Sequence, residues 1–251
     1  MNDNKEVELK KIAEYYDEFA LEYYESRIIS GGRLFNEYIE MPVVQNLIPN
    51  GMESKKVLDI GCGIGVYSRF LGMKGANVTA IDISPKMITL AQKNCSDTNV
   101  EFINISFQDY ESIHKFDLII GGFMLGYFYD LKKDFRKIFS LMNNHESSCI
   151  LSMIHPVKLS SVAREDGKYV LDNYFDENSM YKSDFMSDEK EIPLKKWTFN
   201  DISDAAYASN LYLDKIVEAT PSGHLSNFDK NLLDFYNRCP SVLVVKLKKR
   251  K

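Results

Sequence analysis

The chain has 251 residues, 45% hydrophobic and 27% charged, with a formal net charge of −5. Its length suits one α/β domain with a sizeable core, and its composition excludes the disordered, fibrous and membrane-spanning classes. The acidic balance offers no general attraction to nucleic acid or anionic membrane, so a small molecule is the expected partner.

Residues 8–29 are dense in Glu, Lys and Tyr at helical intervals, and Tyr16, Ala20, Tyr23 and Arg27 share one face. Beyond Gly31-Gly32 a second helical stretch spans 34–47, interrupted near Met41-Pro42 because proline cannot continue a helix interior. From there strand and helix alternate: strands over 56–60, 77–82, 99–104, 116–121 and 148–154, with helices over 65–74, 85–94 and 131–142. Pro85 directly after Ser84 is a helix-start signal. This rhythm predicts a parallel sheet with helices on both faces. Residues 155–197 lose the apolar periodicity and read as an insertion or lid. A helix starting at Thr198, a strand over 211–218 and a last strand over 241–245 complete the chain. The N-terminus lacks the apolar run of a secretory signal and no stretch reaches the length of a membrane span, which makes the cytoplasm the expected compartment.

The most informative segment is Val57-Leu58-Asp59-Ile60-Gly61-Cys62-Gly63-Ile64-Gly65-Val66-Tyr67-Ser68, with Val78-Thr79-Ala80-Ile81-Asp82 one helix later. A β-branched strand runs into three alternating glycines, where the missing β-carbons allow a ligand to lie against bare backbone. The spacing is G-x-G-x-G, not the G-x-G-x-x-G that seats a pyrophosphate on a helix N-terminus. Asp59 beside the loop repels a diphosphate and suits an ammonium or sulfonium group. Asp82, ending the second strand, is placed to accept both hydroxyls of a ribose.

Together these residues resemble motif I and the acidic motif II of class I S-adenosylmethionine-dependent methyltransferases. Ser84-Pro85-Lys86-Met87, Gln108-Asp109 and Phe116-Asp117-Leu118-Ile119-Ile120 come next in that family's order. The resemblance implies a Rossmann-like, seven-stranded, mostly parallel sheet flanked by helices, with its last strand reversed. It implies an N-terminal helical cap over 1–50, a methyltransferase domain over 51–251 and, over 155–197, an insertion covering the acceptor. His155-Pro156 after the fifth strand is similar to the small-molecule branch. S-adenosyl-L-methionine is then the cofactor and S-adenosyl-L-homocysteine its product. The acceptor is a small, aromatic or heterocyclic metabolite methylated at O, N or C, and the protein a monomer or homodimer.

Residue by residue, the resemblance places Gly61 and Gly63 against the methionine moiety and Asp59 at its ammonium group or as a brace of the loop. Asp82 takes the ribose, Ile83 and Met87 flank the adenine, and Phe107, Gln108 or Asp109 reads its amino group. Gly122 leaves room for the sulfur and methyl. Tyr16, Tyr23 and Arg27 fold over the cofactor, Arg27 facing its carboxylate. His155 is the candidate base, with a buried structural histidine as the alternative, and Tyr127, Tyr181 and Trp197 are candidates for an aromatic acceptor pocket. Where many relatives read Leu-His-Tyr this chain reads Leu125-Gly126-Tyr127, removing a polar group. Cys62, Cys95, Cys149 and Cys239 form no C-x-x-C, and the four histidines show no ligand spacing, so no metal is expected. A non-catalytic nucleoside-binding module and a nicotinamide-dependent oxidoreductase are the competing functions.

Overall fold

The computed structural model describes residues 2–30, 32–163, 169–176, 178–182, 191–223 and 225–251. Gly31, His224 and the side chain of Tyr181 lie outside the described residues. Five parallel strands form the framework: β1 (Lys56–Ile60), β2 (Asn77–Asp82), β3 (Glu101–Asn104), β4 (Leu118–Gly121) and β5 (Ser148–Ile154). The insertion contributes two small hairpins, β6 (Ser161–Ala163) with β7 (Tyr169–Leu171) and β8 (Asn178–Lys182) with β9 (Glu191–Lys195). Two strands close the chain, β10 (Leu211–Ala219) and β11 (Val242–Lys249). The seven-stranded sheet runs β10-β11-β5-β4-β1-β2-β3, with β11 antiparallel to both its neighbours. This is the Rossmann-like, mostly parallel sheet expected.

The central strands β1, β4, β5 and β11 are buried on both faces, which is why they read as mostly apolar runs. Leu58, Ile60, Ile119, Leu151 and Val245 enter one core layer, while Val57, Leu118, Ile120, Ile150 and Val244 enter the other. The helices start where local chemistry satisfies their free N–H groups. In α4 (Pro85–Asn94) the Ser84 hydroxyl accepts from Met87 N, and in α5 (Leu131–Leu141) Asp130 accepts from Lys133 N. Thr198 and Asp201 form a reciprocal capping box on the helix Phe199–Ala208.

The N-terminal helix Asn2–Tyr24 does not stay regular as the periodicity predicts. It passes into a π-helical turn at Glu25–Ile29, and a second one at Leu34–Glu40 precedes the short helix Met41–Leu47, which carries Pro42 in its first turn. Strand β4 begins at Leu118 instead of residue 116 because Asp117 turns its carboxylate onto Lys56 N at 3.0 Å. Lys230–Arg238, in the stretch between the last two strands to which the sequence pattern assigns no element, forms a helix started by Asp229 accepting from Asn231 N and Leu232 N.

Candidate cofactor and acceptor site

The connections of β1 and β4 leave the sheet on opposite sides, opening a crevice beyond their carboxyl ends. A cavity of about 190 Å³ lies there, roofed by the N-terminal helix and the π-helical turns and walled on the far side by the insertion. Its floor is the glycine loop. Gly61, Gly63 and Gly65 hold φ of +64°, +52° and +77°, a region open to glycine at no steric cost. A β-carbon at Gly61 would meet the Met124 sulfur at 2.7 Å, whereas one at Gly63 would meet nothing within 4 Å. Gly63 therefore presents bare backbone to open space.

Asp82 closes the loop from below. One carboxylate oxygen accepts the Gly63 N–H at 2.8 Å and the other the Ser84 N–H at 2.9 Å. Burial raises this acid to about 6, against the pull of those two backbone donors. The same corner anchors the roof: Asp17 accepts from the Ser84 hydroxyl at 2.5 Å and from Lys86 N at 3.0 Å. A second tie is the Tyr16 to Tyr127 hydroxyl contact at 2.6 Å.

Tyr16, Tyr23, Arg27, Gly61, Gly63, Asp82, Ile83, Met87, Phe107, Gln108 and Gly122 all line this one cavity. Asp59 does not. It is buried beneath the loop, accepting from the Ser68 hydroxyl at 2.6 Å, and burial pushes its carboxyl up to about 7. Its place is that of a brace, because β1 directs it toward α3 (Val66–Gly72) and not toward the crevice. Asp109 is likewise turned away, folded back on Ser106 Oγ at 2.6 Å, and leaves the wall to Phe107 and Gln108. The Gln108 side-chain nitrogen is buried without a hydrogen-bond partner among the described residues.

His155 also lies outside the cavity wall. It caps the short helix Pro156–Leu159, Nδ1 accepting from Val157 N at 3.1 Å, while Nε2 stands 3.1 Å from a Glu218 oxygen. Burial lowers its pKa, outweighing the carboxylate, which favours the neutral ring. Trp197 packs into the core layer under the insertion, while Tyr127 does line the cavity.

Arg27 is half-buried in the roof, its guanidinium donating to Glu37 at 2.6 Å and to the Tyr23 hydroxyl at 2.8 Å. Burial opposes its charge, but Tyr23 and Glu37 hold it ionised. Phe35, Asn36, Glu40 and Tyr67 complete this end of the cavity, with Phe123, Ile154, Leu159 and Leu194 making the rest apolar. The motif points to neither Glu40 nor Asn36. Their only signal is that of polar residues set on the apolar flank of a helix, at positions a regular turn would have placed elsewhere.

A protein-family model described as a methyltransferase domain matches residues 57–145. Over 77 residues the chain is 38% identical to a malonyl-[acyl-carrier protein] O-methyltransferase of Acetivibrio thermocellus, covering 30% of this chain and 27% of that protein. Over 73 residues it is 37% identical to a ubiquinone biosynthesis O-methyltransferase of Pseudoalteromonas translucida, covering 28% and 31%. The shared stretch thus spans less than a third of either relative. Among solved structures, an S-adenosylmethionine dependent methyltransferase from Mesorhizobium loti superposes with a TM-score of 0.71 at 20% identity, covering 84% of this chain and 97% of that one. Magnesium protoporphyrin IX methyltransferase from Synechocystis, solved with bound S-adenosylhomocysteine, reaches 0.63 at 17% identity, covering 96% and 99%. Residues 57–145 match the model of a methyltransferase domain, and the chain carrying them has the fold of the solved S-adenosylmethionine-dependent methyltransferases.

Proposed function

We propose that the protein transfers the methyl group of S-adenosylmethionine to a small molecule. The observation carrying this reading is the floor of the cavity: Gly63 offers bare backbone to open space while its N–H is already held by the Asp82 carboxylate. A diphosphate needs that N–H and is repelled by that charge, whereas a nucleoside with a cationic amino-acid tail is not. The residues fit such a group in a further respect. The orphaned Gln108 amide is a donor at the cavity wall, suited to a ring nitrogen of adenine.

In this reading Asp82 accepts the ribose hydroxyls, Ile83, Met87 and Phe107 enclose the base, and Gly61 and Gly63 admit the methionine chain. Tyr16, Tyr23 and Arg27 close the roof over it, and Gly122 leaves space for the methyl carbon. The bound cofactor supplies an electrophilic methyl on a good leaving group; the chain supplies alignment of the acceptor behind that carbon and exclusion of water. The proposed layout is a cap over residues 1–50, a methyltransferase domain over 51–251 and an acceptor-side insertion over 155–197. An enclosed acceptor end lined by Phe35, Phe123, Leu159 and Leu194 favours a small, aromatic or heterocyclic acceptor over nucleic acid. The relatives named for O-methylation favour oxygen among the possible acceptor atoms. Among the described residues no helix is long and apolar enough to cross a membrane, and the cytoplasm is the proposed compartment.

Calorimetric titration with S-adenosylhomocysteine and with NAD tests the reading. Binding of the former alone is expected; binding of NAD alone would replace it with a nicotinamide-dependent function.

A further inference from the structure

A buried carboxylate is unfavourable unless its charge has a purpose or a partner. Glu40, ending the second π-helical turn, is 1% exposed and lines the cavity. Two neutral donors hold it: the Tyr67 hydroxyl on Oε2 and the Ser152 hydroxyl, at 2.6 Å, on Oε1. Ser152 in turn accepts the Phe123 N–H at 2.6 Å, and Phe123 sits at φ +55°, where a bulky residue is rarely found. A β-carbon on Gly122 would come within 3.2 Å of Glu40 Oε1, so the carboxylate stands over the bare end of β4. The ionisable groups facing it are Tyr67 on α3, Asp59 on β1, Arg27 on the first π-helical turn and Glu37 on its own turn. Arg27 is engaged by Glu37. Burial lifts Glu40 above the usual carboxylate range even against its two hydroxyl donors.

Resting on the reading of this cavity as an S-adenosylmethionine site, we propose that Glu40 is a catalytic carboxylate. It balances the sulfonium charge of the cofactor and then takes the proton that the acceptor loses, so the acceptor must present an O–H or N–H group. The acceptor heteroatom bonds to the methyl carbon as the carbon–sulfur bond breaks and that electron pair stays on sulfur; the released proton passes to a Glu40 oxygen. Positive and negative charge disappear in the same step, and the dry pocket carries no uncompensated charge before or after it.

The cofactor and its product are the probes, since they differ by that one charge. Both are titrated calorimetrically into wild type and Glu40→Gln in two buffers of different ionisation enthalpy, at several pH values upward from the ordinary carboxylate range. Wild type is expected to release a proton on binding S-adenosylmethionine that S-adenosylhomocysteine does not release. Glu40→Gln should lose that difference and bind S-adenosylmethionine about tenfold or more weakly while keeping the product within about twofold, as loss of one close charge demands. An equal loss for both ligands would put Glu40 at the amino-acid tail they share and overturn the proposal. So would unaltered discrimination in the variant, or no proton difference in wild type, a measurement that does not depend on the variant folding. Wild type that binds neither ligand would overturn the cofactor reading itself.

Discussion

The hydroxyls of Tyr16 and Tyr127 meet at 2.6 Å, joining the roof helix to the turn after β4. Both tyrosines line the cavity, so the bond ties its roof to its wall. Tyr16→Phe removes one donor and should speed dissociation of S-adenosylhomocysteine about fivefold, the equivalent of about 1 kcal/mol. Stopped-flow displacement measures it, and a wild-type rate would show that the roof is held elsewhere.

Asp82 receives two backbone N–H groups and still faces the cavity. Asp82→Ala takes away both the loop anchor and the proposed ribose acceptor, and affinity for S-adenosylhomocysteine should fall at least about tenfold, near 1.4 kcal/mol. Unchanged affinity by calorimetry would remove Asp82 from the site.

Gln108 and Asp109 are neighbours with opposite orientations. Gln108→Leu should weaken the adenosyl ligand by about 1 kcal/mol through loss of a buried donor. Asp109→Ala should instead lower the melting temperature by loosening the turn at Ser106, with ligand affinity little changed once the folded fraction is counted. The reverse pattern would restore Asp109 as the adenine contact.

Burial favours the neutral form of His155 in the fold, and the unfolded chain takes up its proton near pH 6.5. Its contribution is therefore complete above about pH 6.5 and fades as pH falls below that value. His155→Ala should cost about 1–3 kcal/mol at neutral pH, flatten the acid side of the stability curve and leave ligand affinity intact. Denaturant unfolding at several pH values tests this, and loss of binding in a folded variant would return His155 to the site.

Asp59 has the opposite sign. Raised to about 7 from an ordinary value near 4, it makes the native state bind the extra proton, so stability falls as pH rises between those values and is level above them. Asp59→Asn keeps an acceptor for the Ser68 hydroxyl without the charge and should raise stability at pH 8 by about 1 kcal/mol or more. A variant destabilised equally at acid and alkaline pH would show that the brace depends on the carboxylate itself.

The central strands of the parallel framework were legible because burial on both faces leaves mostly apolar runs between glycine and proline signals. β1, β2 and β5 begin and end where the composition changes, as at Lys56, Asp82 and Ser148. Eleven of the thirteen residues that the resemblance assigns to the cofactor lie around one cavity. The hidden part depends on side-chain direction and on chain pairing at a distance. Asp59 points under the loop because it alternates with Leu58 and Ile60, a choice of face that a motif does not state. The two hairpins of the insertion lack strong alternation and exist through their pairing, as between Tyr181 and Ile192. Glu40 escaped notice because ordinary helical winding up to the break at Met41-Pro42 gives it no special direction, and the π-helical turn that does is not written in the periodicity.

Each π-helical turn in the roof is an α-helix carrying one surplus residue. Deleting a single residue from 25–29 or from 34–40 would let the ordinary winding return and change which side chains that turn carries toward the cavity. Arg27 and Glu40 therefore reach the cavity by virtue of chain length counted to the residue, and helices one residue shorter would retain the fold while presenting a different set of charges to that space.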